Sequence, residues 1–134
     1  MIAGTMSRNE KGRVAPPPRL PAAAQGVADE VAALPGVTVQ AHWEIGSQTE
    51  VNGTDFYVGE EELGHIHLDG EVHVPLGPLA AAIVKAKLGR RFRWNAAFVV
   101  ADAADREKAL KLFALRHAQI HGASEAELRR RIDS

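Results

Sequence analysis

The stretch Gly64-His65-Ile66-His67-Leu68-Asp69-Gly70-Glu71-Val72-His73-Val74 constrains the fold of this chain more than any other. Polar and apolar residues alternate on both sides of Asp69-Gly70, the pattern of a hairpin whose two faces meet different surroundings. Loop length decides which side chains share a face. A two-residue Asp-Gly loop would pair His67 with Val72 and His65 with Val74, mixing polar and apolar groups on both faces. A three-residue loop with Gly70 in the left-handed position pairs His67 with Glu71, Ile66 with Val72 and His65 with His73. That register gathers Ile66, Val72 and Val74 on one face and His65, His67, Glu71 and His73 on the other. A one-residue slip would flip every side chain, so the three-residue loop is expected.

The rest of the chain supplies neighbours for this hairpin. Val27, Val31 and Leu34 share a helical face, predicting a helix over 22–34 that Pro35-Gly36 stops. Val37 to Ile45 alternates strictly, with Val37, Val39, Ala41, Trp43 and Ile45 facing a core and Thr38, Gln40, His42 and Glu44 facing away. Asn52-Gly53 reads as a tight turn, pairing Val51 with Thr54 and setting Glu50 opposite Asp55. Pro78 opens a helix to about Leu88 with Leu79, Ile83 and Ala86 inward, and Gly89 stops it. Trp94 to Ala101 reads as a strand. Asp102 and Asp105 cap a helix over 103–121 with Leu110, Phe113, Ala114 and His117 inward. Ser124 and Glu127 start a short last helix expected to fray at Arg129-Arg130-Arg131.

Strands in hairpins, with one helix between strands, predict an α+β fold: a largely antiparallel sheet of four to five strands, helices packed on one face and the other face open to a partner or ligand. The expected core comprises Val31, Leu34, Val39, Trp43, Phe56, Val58, Ile66, Val72, Val74, Leu79, Ile83, Phe98, Val100, Leu110 and Phe113. Residues 1–20, with Pro16-Pro17-Pro18 and no apolar period, read as a flexible N-terminal arm, and 21–134 as a single domain. Met1 and Met6 both stand as candidate starts.

The chain has 134 residues, a net charge of −1 and no cysteine. The cysteine count excludes a disulfide framework, a thiolate zinc site, an iron–sulfur cluster and a cysteine nucleophile. The small net charge hides a division: residues 1–19 carry +3, residues 20–84 carry −10 with no Lys or Arg, and residues 85–134 carry +6. The plainest use of that division is for basic helices to neutralise an acidic sheet; another is attraction of cations or a basic partner. A sequence pI near 6.6 argues against nucleic acid as partner, and no apolar run has membrane-spanning length. A soluble, cytoplasmic domain is expected.

The chemistry lies in the hairpin. His65, His67, Glu71 and His73 on one surface form a ligand set suited to a divalent transition metal such as zinc, iron, nickel or copper. The alternative is a solvent-facing hairpin whose histidines bond to nearby carboxylates such as Glu61. His42 joins the cluster if its strand lies beside the hairpin. His117 and His121, four apart on a helix, could clip a metal but read more simply as helix surface. The spacing Gly59, His65-x-His67, Glu71 is similar to the first motif of cupins, but those are all-β jelly rolls with a second motif, whereas the chain after this hairpin is mostly helical. No nucleophile elbow, phosphate loop or dinucleotide fingerprint is present.

Leu34-Pro35-Gly36-Val37, then Gly64 to Gly70 leading to His73-Val74-Pro75-Leu76, the Pro78 helix and Phe98-Val99-Val100 together resemble a bacterial and fungal "luciferase family" (luciferase-like) domain over about residues 25–120. The resemblance implies a small domain of uncharacterised function and supplies no flavin site and no catalytic residue. A module binding a small molecule or a protein partner is therefore expected, the alternative being a metal-dependent enzyme built on the hairpin. A third reading is a homo-oligomer in which acidic and basic halves pair between chains.

Overall fold

In a computed structural model, which describes residues 16–43 and 50–134, Ala22–Ala32 forms helix α1 and buries Ala24, Val27, Ala28 and Val31. Four strands follow: β1 (Val37–Trp43), β2 (Val51–Val58), β3 (Glu61–His67) and β4 (Glu71–Val74). A 3-10 turn at Gly77–Leu79 leads into α2 (Ala80–Lys85), then β5 (Arg90–Phe92), β6 (Asn95–Val99), α3 (Ala103–Ile120) and α4 (Glu125–Asp133). The fold is α+β, with one six-stranded sheet in the order β1-β2-β3-β4-β6-β5 and every pairing antiparallel. After β4 the chain passes through α2 to the sheet edge, lays down β5, and returns as β6 beside β4.

The helices pack on one face. Val27 and Val31 of α1 and Leu112, Phe113 and Leu115 of α3 meet Phe56, Leu63, Ile66, Val72 and Val74 of the sheet in one core. Phe56 and Phe113 touch edge to face with centroids 5.6 Å apart. Gly64 permits this: a Cβ there would lie 2.6 Å from Phe113 Cε1. Leu20 also belongs to the core, so packing begins just before α1, whereas residues 1–15 of the expected arm lie outside the described residues.

Several elements differ from expectation for identifiable reasons. Asn52-Gly53 is not a turn but lies inside β2, with Gly53 paired to both His42 and His67. The β2–β3 turn falls instead at Gly59-Glu60, with Gly59 at φ +61. Asp55 consequently faces Gln40 and His65 rather than Glu50. Helix α2 ends at Lys85, before the expected Leu88, because Lys87 takes the left-handed conformation (φ +59) and the Leu88 N–H reaches back to the Ile83 carbonyl, which closes the helix early. A strand beyond those expected, β5, is short and exposed along its length, and Arg93 at φ +55 turns it into β6. The buried stripe of α3 is Ala109, Leu112, Phe113 and Leu115; Ala114 faces solvent and His117 is half-buried, its Nε2 2.8 Å from the Pro35 carbonyl. Helix α4 continues through the arginines to Asp133, held by buried Leu128 and Ile132 and by ion pairs from Arg129 to Glu125 and Arg131 to Glu127.

The helix caps follow the sequence reading. Asp102 accepts from the Asp105 N–H at 2.8 Å while Asp105 accepts from the Ala101 N–H at 2.9 Å. Among the described residues, no helix is long and apolar enough to cross a membrane.

Candidate metal centre

The sheet face turned away from the helices is polar and yet largely buried. Its centre is a row of laterally paired residues, Gln40, Asp55, His65, His73 and Ala97, on β1, β2, β3, β4 and β6. The next row runs His42, Gly53, His67. Gly70 holds φ +91 and its N–H donates to the His67 carbonyl, so the hairpin has the three-residue loop and pairs His65 with His73 and Ile66 with Val72. Gly53 then does what no other residue could. With no side chain on β2 at this row, His42 reaches across it to β3, stacking on His65 at 4.4 Å and meeting His67 edge-on at 5.1 Å. A Cβ on Gly53 would lie 2.2 Å from the Ile66 carbonyl oxygen, so the two backbones approach closely here.

Four imidazoles thus form one cluster. His67 stands edge-on to His65 at 5.0 Å and to His73 at 4.8 Å, and His65 stacks on His73 at 4.8 Å. One ring nitrogen from each of His42, His65 and His67 lies within 4.8 Å of the other two. His42 is fully buried, and His65 and His73 are 7% and 6% exposed.

Three of these rings are each held by a carboxylate. His42 Nδ1 lies 2.7 Å from Asp55 Oδ1, both side chains being fully enclosed. His65 Nδ1 lies 3.0 Å from Glu62 Oε2, and His73 Nε2 lies 2.7 Å from Glu71 Oε1. An ionised carboxylate only accepts, so the bonded nitrogen donates and a neutral ring carries its lone pair on the other nitrogen. Rings oriented in this way are the usual surroundings of metal-ligating histidine. His42 Nε2, the nitrogen left with the lone pair, is buried and has no hydrogen-bond partner among the described residues. Few buried polar atoms in folded proteins are left in that state, and a bound ion is one of the conditions that explain it.

The electrostatics favour an unprotonated His67 ring. Burial, followed by the neighbouring His65, His42 and His73, lowers the His67 pKa from 6.5 to about 4, with Asp69 acting weakly the other way. Burial would raise the Glu71 carboxyl, but hydrogen bonds from His73 and Arg90 outweigh it and hold Glu71 below its ordinary value. Arg90 donates to Glu71 at 2.8 Å. Arg116, lowered by burial against the opposing pull of Glu61 and Glu62, donates to the Glu62 carbonyl and closes one end of the site.

A cleft of about 620 Å³ opens beside His65, His67 and His73. Its far wall is the β5–β6 turn, carrying Phe92, Arg93 and Trp94, and Phe92 touches the His73 ring edge-on at 5.4 Å.

Of the residues singled out in the sequence, His65, His67 and His73 come together as the hairpin register requires. Glu71 sits at the cluster's edge, engaged by His73 and Arg90 as a holder of a ring. Glu61 faces Arg116 at 3.6 Å rather than a histidine. His117 and His121 lie 4.4 Å apart on α3, with His121 Nδ1 at 2.8 Å from the His117 carbonyl, away from the cluster. The sequence reading treated His42 as conditional on strand order, and it missed the roles of Asp55, Glu62 and Gly53. A signal for Gly53 was present: the strand formers Val51, Thr54, Phe56, Tyr57 and Val58 lie on both sides of it, and Gly59-Glu60 offers a second place to turn.

The fold and the cluster together define a small α+β domain with a polyhistidine pocket. No protein-family model matches the chain, and searches of curated proteins and of solved structures return no match.

Proposed function

We propose that this domain binds one divalent transition-metal ion through His42, His65 and His67, with His73 as a further imidazole, and that it presents the ion to a small molecule in the adjoining cleft. The observation that carries this reading is the buried, unpartnered Nε2 of His42 on a ring whose other nitrogen is fixed by Asp55. An all-imidazole set suits zinc, copper, nickel or iron. The likeness of the hairpin to luciferase-like domains belongs to the same proposal and names no chemistry.

Calorimetric titration of untagged protein with zinc and with nickel tests it. One equivalent should bind to the wild type, and His65→Ala/His67→Ala should abolish binding. His42→Ala should weaken it, while His117→Ala/His121→Ala leaves it unchanged. Equal binding by wild type and the His65→Ala/His67→Ala variant would overturn the proposal.

Catalysis is a second reading, favoured by the cleft at the cluster's open side. An ion held by neutral rings keeps its full positive charge and can act as a Lewis acid. Hydrolysis of aryl esters by zinc-loaded but not metal-free protein is the expected sign.

A further inference from the structure

Beside the histidines, the β5–β6 turn sets out two large aromatic rings that the core does not use. Trp94 is 72% exposed and Phe92 42% exposed, and both line the cleft. The core gives no packing reason for one turn to display two such rings on one cleft, and exposed apolar surface of this kind marks binding sites. Arg93 stands between them in sequence, its guanidinium 5.6 Å from the Phe92 ring centroid, and among the described residues no carboxylate pairs with it. The acids of the opposite wall are already engaged: Glu61 with Arg116, Glu62 with His65, Glu71 with His73 and Arg90. Pro75 adds an apolar surface, and the cleft has the volume of a site for a ligand of drug-like size.

We infer that the cleft takes a planar aromatic carboxylate, its ring against Phe92 and Trp94 and its anionic group between Arg93 and the metal end of the cleft. This rests on the metal reading for one of the two positive charges. The aromatic wall and Arg93 are independent of the metal. A cationic ligand fits less well, since it would meet both the ion and Arg93. An aliphatic acid would forgo the stacking.

The probes are 1-naphthoate, acetate and 1-naphthylmethylamine, titrated by calorimetry into zinc-loaded and metal-free wild type, Phe92→Ala/Trp94→Ala and Arg93→Asn. Asparagine tolerates the positive φ of position 93, so that turn is retained. Zinc affinity and the thermal melt are measured on each variant first; Arg93→Asn should match wild type in both, and because Phe92 touches the His73 ring, Phe92→Ala/Trp94→Ala is compared with wild type at saturating zinc. Naphthoate should bind zinc-loaded wild type, with acetate and the amine at least about ten-fold weaker. Phe92→Ala/Trp94→Ala should lose about ten-fold in naphthoate affinity, and Arg93→Asn several-fold for naphthoate alone. Zinc binding without naphthoate binding would overturn this inference and leave the metal reading intact. Naphthoate binding that survives in a wild type unable to bind zinc would uphold the inference and remove the metal reading. Amine binding as tight as naphthoate, or naphthoate binding indifferent to both variants, would overturn the inference.

Discussion

At the scale of single residues, the site depends on positions whose side chains are small, buried or both. Gly53 lets His42 cross a strand, and a Cβ there has the Ile66 carbonyl 2.2 Å away. Gly53→Ala should therefore destabilise the fold by about 1–3 kcal/mol in urea melts, as overpacking does, and should also weaken zinc binding. Asp55→Asn tests the holder rather than the ligand. It keeps size but can present a donor to His42 Nδ1, and metal affinity should fall about 10–100-fold. His67 supplies a pH prediction for the metal-free protein. Its folded pKa lies near 4, below the 6.5 of an unfolded chain, so between those values the unfolded state binds a proton that the folded state does not. Stability is then full above pH 6.5 and declines as pH falls towards 4. The whole shift would correspond to about 3 kcal/mol, and at a half-exposed ring solvent screening reduces this to about 1–2 kcal/mol. Melts at several pH values should show that decline in wild type and a flatter profile in His67→Gln. Of these three residues, only His67 was legible as a site residue. Gly53 was read through a local turn preference that the pairing of β2 on both sides overrides. Asp55 was read as an acid facing another acid, because its true neighbours lie on strands whose order the sequence does not state.

At the scale of elements, legibility followed how local the determining physics is. The β3–β4 hairpin was readable down to its register, because loop geometry and face segregation both act within a few residues and agree. The helix starts at Asp102 and Ser124 were readable for the same reason. Strand β5 was not, since Arg90–Phe92 is short, exposed throughout and carries no alternation; it exists because β6 offers it an edge. The phase of α3 was also missed. Leu110 and Leu112 compete for the inward position, and contact with α1 and the sheet decides for Leu112. The same contact separates two phenylalanines that looked equivalent in sequence. Phe113 is fully buried against Phe56 and Gly64, whereas Phe98 is only half-buried. Phe113→Ala should cost about 3–5 kcal/mol and Phe98→Ala roughly half as much or less, read from denaturant midpoints at unchanged slope.

At the scale of the molecule, the uneven charge of the sequence is used in part within the chain. Glu30, Glu61 and Glu71 from the base-free half meet Arg106, Arg116 and Arg90 from the basic half. The first pair joins α1 to α3, the second β3 to α3 and the third β4 to β5, but the exposed ones contribute little each. The larger division is between the two faces of the sheet. One carries the apolar core, and the other buries three imidazoles, half-buries the fourth, and carries the acids that hold three of them. In that face His42 Nε2 is buried with no hydrogen-bond partner among the described residues, and a polar atom so placed costs the folded state what the hydrated unfolded chain does not bear. A metal that binds the folded cluster should therefore act on the stability of the whole domain, because the ligands come from β1, β3 and β4 and are assembled only by folding. At free zinc about one hundred times its dissociation constant, linkage gives about 2.7 kcal/mol, or a rise in melting temperature of roughly 10 °C for a chain of this size. Scanning calorimetry should show that rise in wild type, reversed by chelator, and not in His65→Ala/His67→Ala. His117→Ala/His121→Ala should retain it in full, since that pair lies on α3 and shares no ring contact with the cluster. A rise that persisted without His65 and His67 would locate the bound zinc elsewhere on the chain.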